Sequence, residues 1–176
     1  MDRLSGLGIL LVLVLLFTFS PTSSSFSSNE ELDTNETAEI ELAATTTTWF
    51  LNMSPITISD VLYIESDESL VIHPGVVVEF GASGGIYCEG NIRSMGNATH
   101  PITFTSTTCS LDWSGLIYFF HCSRESNFNN CIIEYGDVEA YEGLINIRGS
   151  FVRFSNCIFR YNRMWFGVIT ALDFSR

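Results

Sequence analysis

Two segments of the chain carry the same pattern at a fixed distance, and that repeat constrains the fold more than any other feature. Phe128-Asn129-Asn130-Cys131-Ile132-Ile133-Glu134-Tyr135 and Phe154-Ser155-Asn156-Cys157-Ile158-Phe159-Arg160-Tyr161 share F-x-N-C-I-x-x-Y, and subtracting 128 from 154 gives a period of 26. The ladder extends backwards, because Pro101-Ile102-Thr103-Phe104 begins 30 residues before Cys131 and Val76-Val77-Val78-Glu79-Phe80 begins 26 before Ile102. A second ladder runs alongside. Gly85-Ile86-Tyr87-Cys88, Gly115-Leu116-Ile117-Tyr118 and Gly143-Leu144-Ile145-Asn146 are separated by 30 and 28, and Phe166-Gly167-Val168 opens a further rung. A unit of two or three short strands recurring every 26–30 residues cannot bury its own apolar face, so it must stack on its copies.

The segments between turn signals are of β type. Val, Ile, Phe and Tyr dominate 61–64, 70–72, 76–80, 85–88, 91–95, 102–105, 116–120, 131–135, 144–147, 151–154, 157–161 and 166–170, with Gly, Asn, Asp, Ser and Pro between them. No window carries a sustained helical period. The gaps are irregular rather than two-residue hairpin turns, which favours parallel coils over a meander. The expected fold is all-β: a right-handed parallel β-helix of about five coils over 49–176.

Alternation within a rung predicts that Cys131, Ile133 and Tyr135 point inward above Cys157, Phe159 and Tyr161, with Ile132 and Glu134 outside. Phe128 then stacks on Phe154. Asn130 over Asn156 is expected to form an amide ladder at a coil corner, each satisfying turn backbone or its copy one coil on. Glu134 is expected to form an exposed pair with Arg160. Cys131 and Cys157 lie within bridging reach, although stacked core thiols also serve as small hydrophobes. The inward set of 116–120 stays open by one register.

Composition narrows the function. The chain holds 20 Asp+Glu against 8 Lys+Arg, for a net charge of -12, and all eight basic residues are Arg. That charge repels phosphate backbones, so nucleic acid is not expected as a partner. Without Lys, a P-loop and Schiff-base chemistry are excluded.

The first residues, Met1-Asp2-Arg3 followed by a nearly unbroken apolar run over 7–19 and then Pro21 and Ser23 to Ser25, read as a secretory signal peptide over 1–25. No later segment spans a membrane, and a secreted or cell-surface location follows. Residues 26–48 hold six acids, no basic residue and a threonine run, and read as a disordered acidic tether. Sequons for N-glycosylation occur at Asn35, Asn52 and Asn97, the second weakened by Pro55. The five cysteines are odd in number and lack metal-binding spacing, so no metal site is expected from them.

The run Leu70-Val71-Ile72-His73-Pro74-Gly75-Val76-Val77-Val78-Glu79-Phe80-Gly81, followed by Pro101-Ile102-Thr103-Phe104-Thr105-Ser106 and Trp113-Ser114-Gly115-Leu116-Ile117-Tyr118-Phe119, resembles the opening coils of the pectate-lyase-like superfamily of parallel β-helix proteins. The resemblance covers 49–176 and implies the fold. For activity it implies only a range, from polysaccharide lyases and glycoside hydrolases to adhesins and surface-layer proteins. Lyases of that superfamily group acidic calcium ligands on one ladder beside an Arg or Lys base. Here Glu79, Glu89 and Glu134 are spread over different coils and Lys is absent. The sequence also stops partway through a rung, an apolar edge with which another chain could associate.

Asp137, Glu139 and Glu142 lie together before Gly143, and with Arg148 they are the candidate catalytic residues. The three acids could serve as a glycosidase carboxylate set or as oxygen ligands for calcium, against the alternative of a solvated loop. Arg148, Arg153, Arg160 and Arg163 form a basic patch that would meet acidic sugars or pair with those acids. His73, His100 and His121 have no Ser or Cys at triad spacing. Trp113, Tyr118 and Tyr87 would stack on sugars if they point outward. The leading expectation is a non-catalytic module presenting a rigid face to a polysaccharide, cell-envelope component or protein. The alternative is a polysaccharide lyase or glycoside hydrolase, or the N-terminal fragment of one.

Overall fold

The repeat is realised as three ladders of parallel strands. The computed structural model describes residues 44–109, 111, 113, 117–122, 124–138, 143–164 and 167–172. The expected signal peptide, Asn35 and all of the tether up to residue 43 lie outside them. One sheet stacks β1 (Thr46–Trp49), β4 (Ser69–Ile72), β7 (Asn91–Met95), β10 (Ser126–Asn129) and β14 (Val152–Ser155). A second stacks β2 (Ile56–Ile58), β5 (Val77–Phe80), β8 (Ile102–Ser106), β11 (Cys131–Glu134) and β15 (Ile158–Arg160). The third stacks β3 (Val61–Ile64), β6 (Gly85–Cys88), β9 (Ile117–Phe120), β13 (Ile145–Arg148) and β17 (Ile169–Leu172). A two-stranded ladder of β12 (Asp137–Val138) and β16 (Arg163–Met164) fills the last corner.

The fold is therefore an all-β parallel solenoid, and its only helical element among the described residues is the short 3-10 turn Leu51–Met53. Five rungs per sheet enclose about four turns, slightly fewer than the five coils expected. Repeated motifs count rungs, and a stack of rungs closes one turn fewer than their number. Thr46–Thr48, read from the sequence as the end of the tether, are instead strand residues: β1 pairs with β4 from Thr46↔Ser69 to Trp49↔Ile72. Threonine's β-branched side chain suits this edge, and composition alone had hidden it.

Alternation builds the core. Leu70 and Ile72 of β4, Val78 and Phe80 of β5, Phe104 of β8, Ile117 and Phe119 of β9, and Cys131 and Ile133 of β11 all point inward and are buried. Phe80, Phe104, Phe128 and Phe154 form an aromatic column through the core: Phe80 stacks on Phe104 within the second sheet at 6.5 Å, Phe104 meets Phe128 of the first sheet at 5.7 Å with the rings tilted by 51°, and Phe128 stacks on Phe154 at 5.1 Å. Trp113 belongs to this core and not to a sugar-facing surface. Its ring lies 4.1 Å from that of Phe80 at 7°, and its indole N–H donates to the Gly84 carbonyl at 2.9 Å. Gly84 has no room for a side chain, since a Cβ there would sit 2.0 Å from the Ile58 carbonyl oxygen.

The corners explain where alternation fails. Asn130 (φ 49°) and Asn156 (φ 53°) are single left-handed residues that turn the chain from one sheet to the next. Asn tolerates that conformation. The amides do not form a simple Asn130-to-Asn156 ladder. Asn130 Nδ2 donates to the Gly96 carbonyl at 3.4 Å, whereas Asn156 Nδ2 donates to Asn129 Oδ1 at 3.3 Å. Tyr135 (φ 61°) and Tyr161 (φ 55°) occupy the next corner, and the sign change in φ swings their side chains out of the inward row. Tyr161 is exposed, and its ring stacks on Tyr135 at 5.4 Å. The inward expectation for both tyrosines is thus corrected. Each left-handed aromatic costs about 1–2 kcal/mol, which the stacked pair helps to offset.

Two registers also differ from the sequence spacing by one residue. Cys131 pairs with Ile102, a period of 29 rather than 30, and Ile117 pairs with Ile86, a period of 31 rather than 30.

Thr105 carries the one buried side-chain oxygen without a hydrogen-bond partner among the described residues. Thr105→Val keeps the shape and removes the unsatisfied hydroxyl, so it is expected to stabilise the protein by about 1 kcal/mol. A lower urea midpoint than wild type would show the hydroxyl to be satisfied in solution.

Candidate functional site

The outer face of the third sheet carries a row of outward aromatic residues, of which Tyr63 is exposed and Tyr87, Tyr118 and Phe120 are half-buried. Alternation turns the middle residue of each strand outward, and the registers Tyr63↔Tyr87 and Tyr87↔Tyr118 set three tyrosines in one row. Neighbouring rings are 5.6 and 5.4 Å apart, the second pair nearly parallel at 6°. Phe120 joins the row, 6.1 Å from Tyr118 and 6.2 Å from Tyr87. Arg148 extends over the Tyr118 ring, with Cζ 5.3 Å from its centroid. Two residues beyond Tyr63 and Tyr87 stand Glu65 and Glu89, which with both rings and Ile64 line a cleft of about 400 Å³. Further along the row Asn146 replaces tyrosine. Its Nδ2 donates to the Gly143 carbonyl at 2.8 Å, and its Oδ1 accepts from the Thr170 hydroxyl.

Chemically this face offers flat apolar rings, phenol and guanidinium donors, and carboxylate acceptors on a backbone fixed by ladder hydrogen bonds. Desolvation within the stack raises the Tyr87 phenol above its ordinary value, and Glu89 nearby raises it further. Its hydroxyl therefore remains a donor throughout the neutral range. Because the folded-state pKa is raised, Tyr87 contributes stability that is present below the unfolded value of about 10 and lost as pH rises through the folded value. An alkaline ultraviolet titration should show a late-ionising phenol that disappears in Tyr87→Phe. Identical curves for the two proteins would contradict this.

The tyrosine row was only partly legible. Tyr87 and Tyr118 are outward, as one of the two options required, but the period of 30 set Tyr87 opposite Ile117 and passed over Tyr63. The signal was the triplet of an apolar residue, Tyr and a second apolar residue: Leu62-Tyr63-Ile64, Ile86-Tyr87-Cys88 and Ile117-Tyr118-Phe119.

The candidate catalytic set is not brought together by the described residues. Glu139 and Glu142 lie outside them. Asp137 receives both Nε and a terminal nitrogen of Arg163, the first at 2.8 Å on Oδ1, so both its oxygens are engaged. Arg148 belongs to the tyrosine face on another sheet. Of the proposed calcium ligands, only Asp137 is described, and it faces a guanidinium. No group of three or more His, Cys, Asp and Glu side chains able to hold a metal occurs among the described residues. The basic patch is drawn into pairs: Arg153 with Glu125 at 2.9 Å, Arg160 with Glu134 at 2.6 Å, and Arg163 with Asp137. The Arg160 pair forms but is not the exposed one expected, because the Glu134 side chain retains only 11% of its accessible surface.

Of the sequons, Asn52 is exposed in the 3-10 turn and Asn97 in a loop, where Asn97 Oδ1 accepts from the Thr99 amide at 3.1 Å and the Thr99 hydroxyl at 2.8 Å. His73 stacks on Phe50, His100 meets the Thr99 hydroxyl at 2.9 Å, and His121 packs edge-on against Phe120. No helix of the described residues is long and apolar enough to cross a membrane. No family model, curated protein or solved structure matches the chain.

Proposed function

We propose that this protein is a secreted or cell-surface module, built as a short right-handed parallel β-helix of the pectate-lyase-like type, that binds carbohydrate on its tyrosine face without catalysing a reaction. The observation that carries the reading is the row Tyr63, Tyr87 and Tyr118, running along the solenoid axis with Glu65 and Glu89 beside it. Sugar rings present apolar C–H faces and a rim of hydroxyls. The tyrosine rings match the faces, and the carboxylates and Arg148 match the rim. A rigid row binds an extended chain with little ordering cost. Carboxylates and a net charge of -12 favour a neutral, linear polysaccharide over an acidic one. The apolar run near the start of the chain and the exposed sequons at Asn52 and Asn97 support export and glycosylation.

The test is binding of the purified protein to soluble neutral and acidic polysaccharides and to cell-envelope fractions. Binding to neutral chains, competed by short oligomers of the same sugar, is the expected result. Binding to none of them overturns the reading. Release of unsaturated or reducing sugar ends, abolished by Glu142→Gln, would instead establish the lyase or hydrolase alternative and return Asp137, Glu139, Glu142 and Arg148 to a catalytic role.

A further inference from the structure

The register of the coils sorts the cysteines. All five carry free thiols. Cys109 is exposed. Cys88 and Cys122 are buried together, with the Cys122 thiol donating to the Cys88 carbonyl at 3.1 Å. Cys131 and Cys157 hold the same place on successive coils. The pairs Asn129↔Ser155 on one side and Ile132↔Ile158 on the other leave the two cysteines facing each other across one strand spacing. That spacing is about 4.8 Å, inside the roughly 4.4–6.8 Å between α-carbons that a disulfide spans. Both side chains lie at the same inner corner. The Cys131 sulfur is 3.4 Å from the Ser94 hydroxyl, and the Cys157 thiol donates to the Phe128 carbonyl of the neighbouring coil at 3.4 Å. Cys131 is wholly buried, whereas Cys157 is half-buried.

We propose that Cys131 and Cys157 are a dithiol that closes to a reversible disulfide, tying two successive coils together.

The asymmetry of the pair orders the steps. A hydrogen bond from the Cys131 thiol lowers the Cys157 pKa against the opposing effect of burial, while the same hydrogen bond and burial raise Cys131. Cys157 is thus the accessible thiolate and Cys131 the resolving thiol. With a small-molecule disulfide such as oxidised glutathione as oxidant, the Cys157 thiolate attacks one oxidant sulfur. A mixed disulfide forms and the first oxidant thiolate leaves. The Cys131 sulfur, giving up its proton, then attacks Cys157 and expels the second. Two protein S–H bonds are replaced by one S–S bond, and the two electrons and two protons leave on two molecules of reduced oxidant. The Cys88 and Cys122 pair is buried on both sides and has no comparably open sulfur.

The experiment uses the full chain with Cys109→Ser, which removes the exposed thiol. The protein is equilibrated with oxidised glutathione at neutral pH, trapped by alkylation, digested and mapped by mass spectrometry. The expected product is a cross-link between the Cys131 and Cys157 peptides, reversed by dithiothreitol, together with a higher urea midpoint for the oxidised protein. Recovery of both cysteines alkylated, or of Cys157 as a stable mixed disulfide without the cross-link, overturns the proposal. The same midpoint rise in Cys157→Ser would assign the stabilisation to other sulfurs and equally overturn it.

Discussion

Replacing Phe104 by alanine is expected to lower stability by about 3–5 kcal/mol, the usual cost of emptying a buried phenylalanine site. Phe104 is fully buried and lies between Phe80 and Phe128 in the aromatic column, with β5 and β11 on either side of its strand. A solenoid has no second core to share the loss, because each coil contacts only its neighbours. Against a total of about 5–15 kcal/mol, the change should bring the urea midpoint down by a large fraction with a similar m-value. Ile132→Ala, on the same ladder but facing outward and half-buried, should cost under about 1 kcal/mol. A Phe104→Ala protein as stable as Ile132→Ala would mean that the column does not form in solution.

Tyr87→Ala should weaken polysaccharide binding at least about tenfold, roughly 1.4 kcal/mol, and the double variant with Tyr118→Ala should bring it to background. Tyr87 is the central ring, touching Tyr63 on one side and Tyr118 on the other, so its loss leaves two separate rings two rungs apart. Tyr87→Phe keeps the ring and loses one hydroxyl, and should bind within about threefold of wild type. Tyr161→Ala removes an exposed tyrosine from a different corner and should leave affinity unchanged. Isothermal titration with one neutral polysaccharide checks all four. Equal losses for Tyr161→Ala and Tyr87→Ala would show that no specific face is involved.

The candidate site was less legible than the fold, for a reason visible in particular residues. Phe128 and Phe154, and Cys131 and Cys157, repeat in identity as well as position, so the period of 26 and the pairing it implies could be taken directly from the sequence. Tyr87 and Tyr118 are separated by 31 residues, because the segment 107–116 between β8 and β9 is longer than its counterpart 81–84 between β5 and β6 of the preceding coil. An alignment on Gly85 and Gly115 missed that spacing by one residue. Tyr135 and Tyr161 also repeat, yet repetition says only that they stack. Their positive φ values decide that they stack outside.

The sequence by itself determined the class of fold: short β-branched and aromatic strands at a recurring period, unable to bury an apolar face except against their own copies. It also determined most of the inward rows, since strand alternation continues wherever the backbone remains extended. Only the tertiary structure decided which way 117–120 faces, where the tyrosine row lies, how deeply the Glu134 partner of Arg160 is buried and which acids Arg153 and Arg163 neutralise. The physical reason is that side chains alternate with a period of two, so a slip of one residue in a loop exchanges core for surface. The length absorbed by a loop is settled by how coils stack, not by the residues of the strand it delivers.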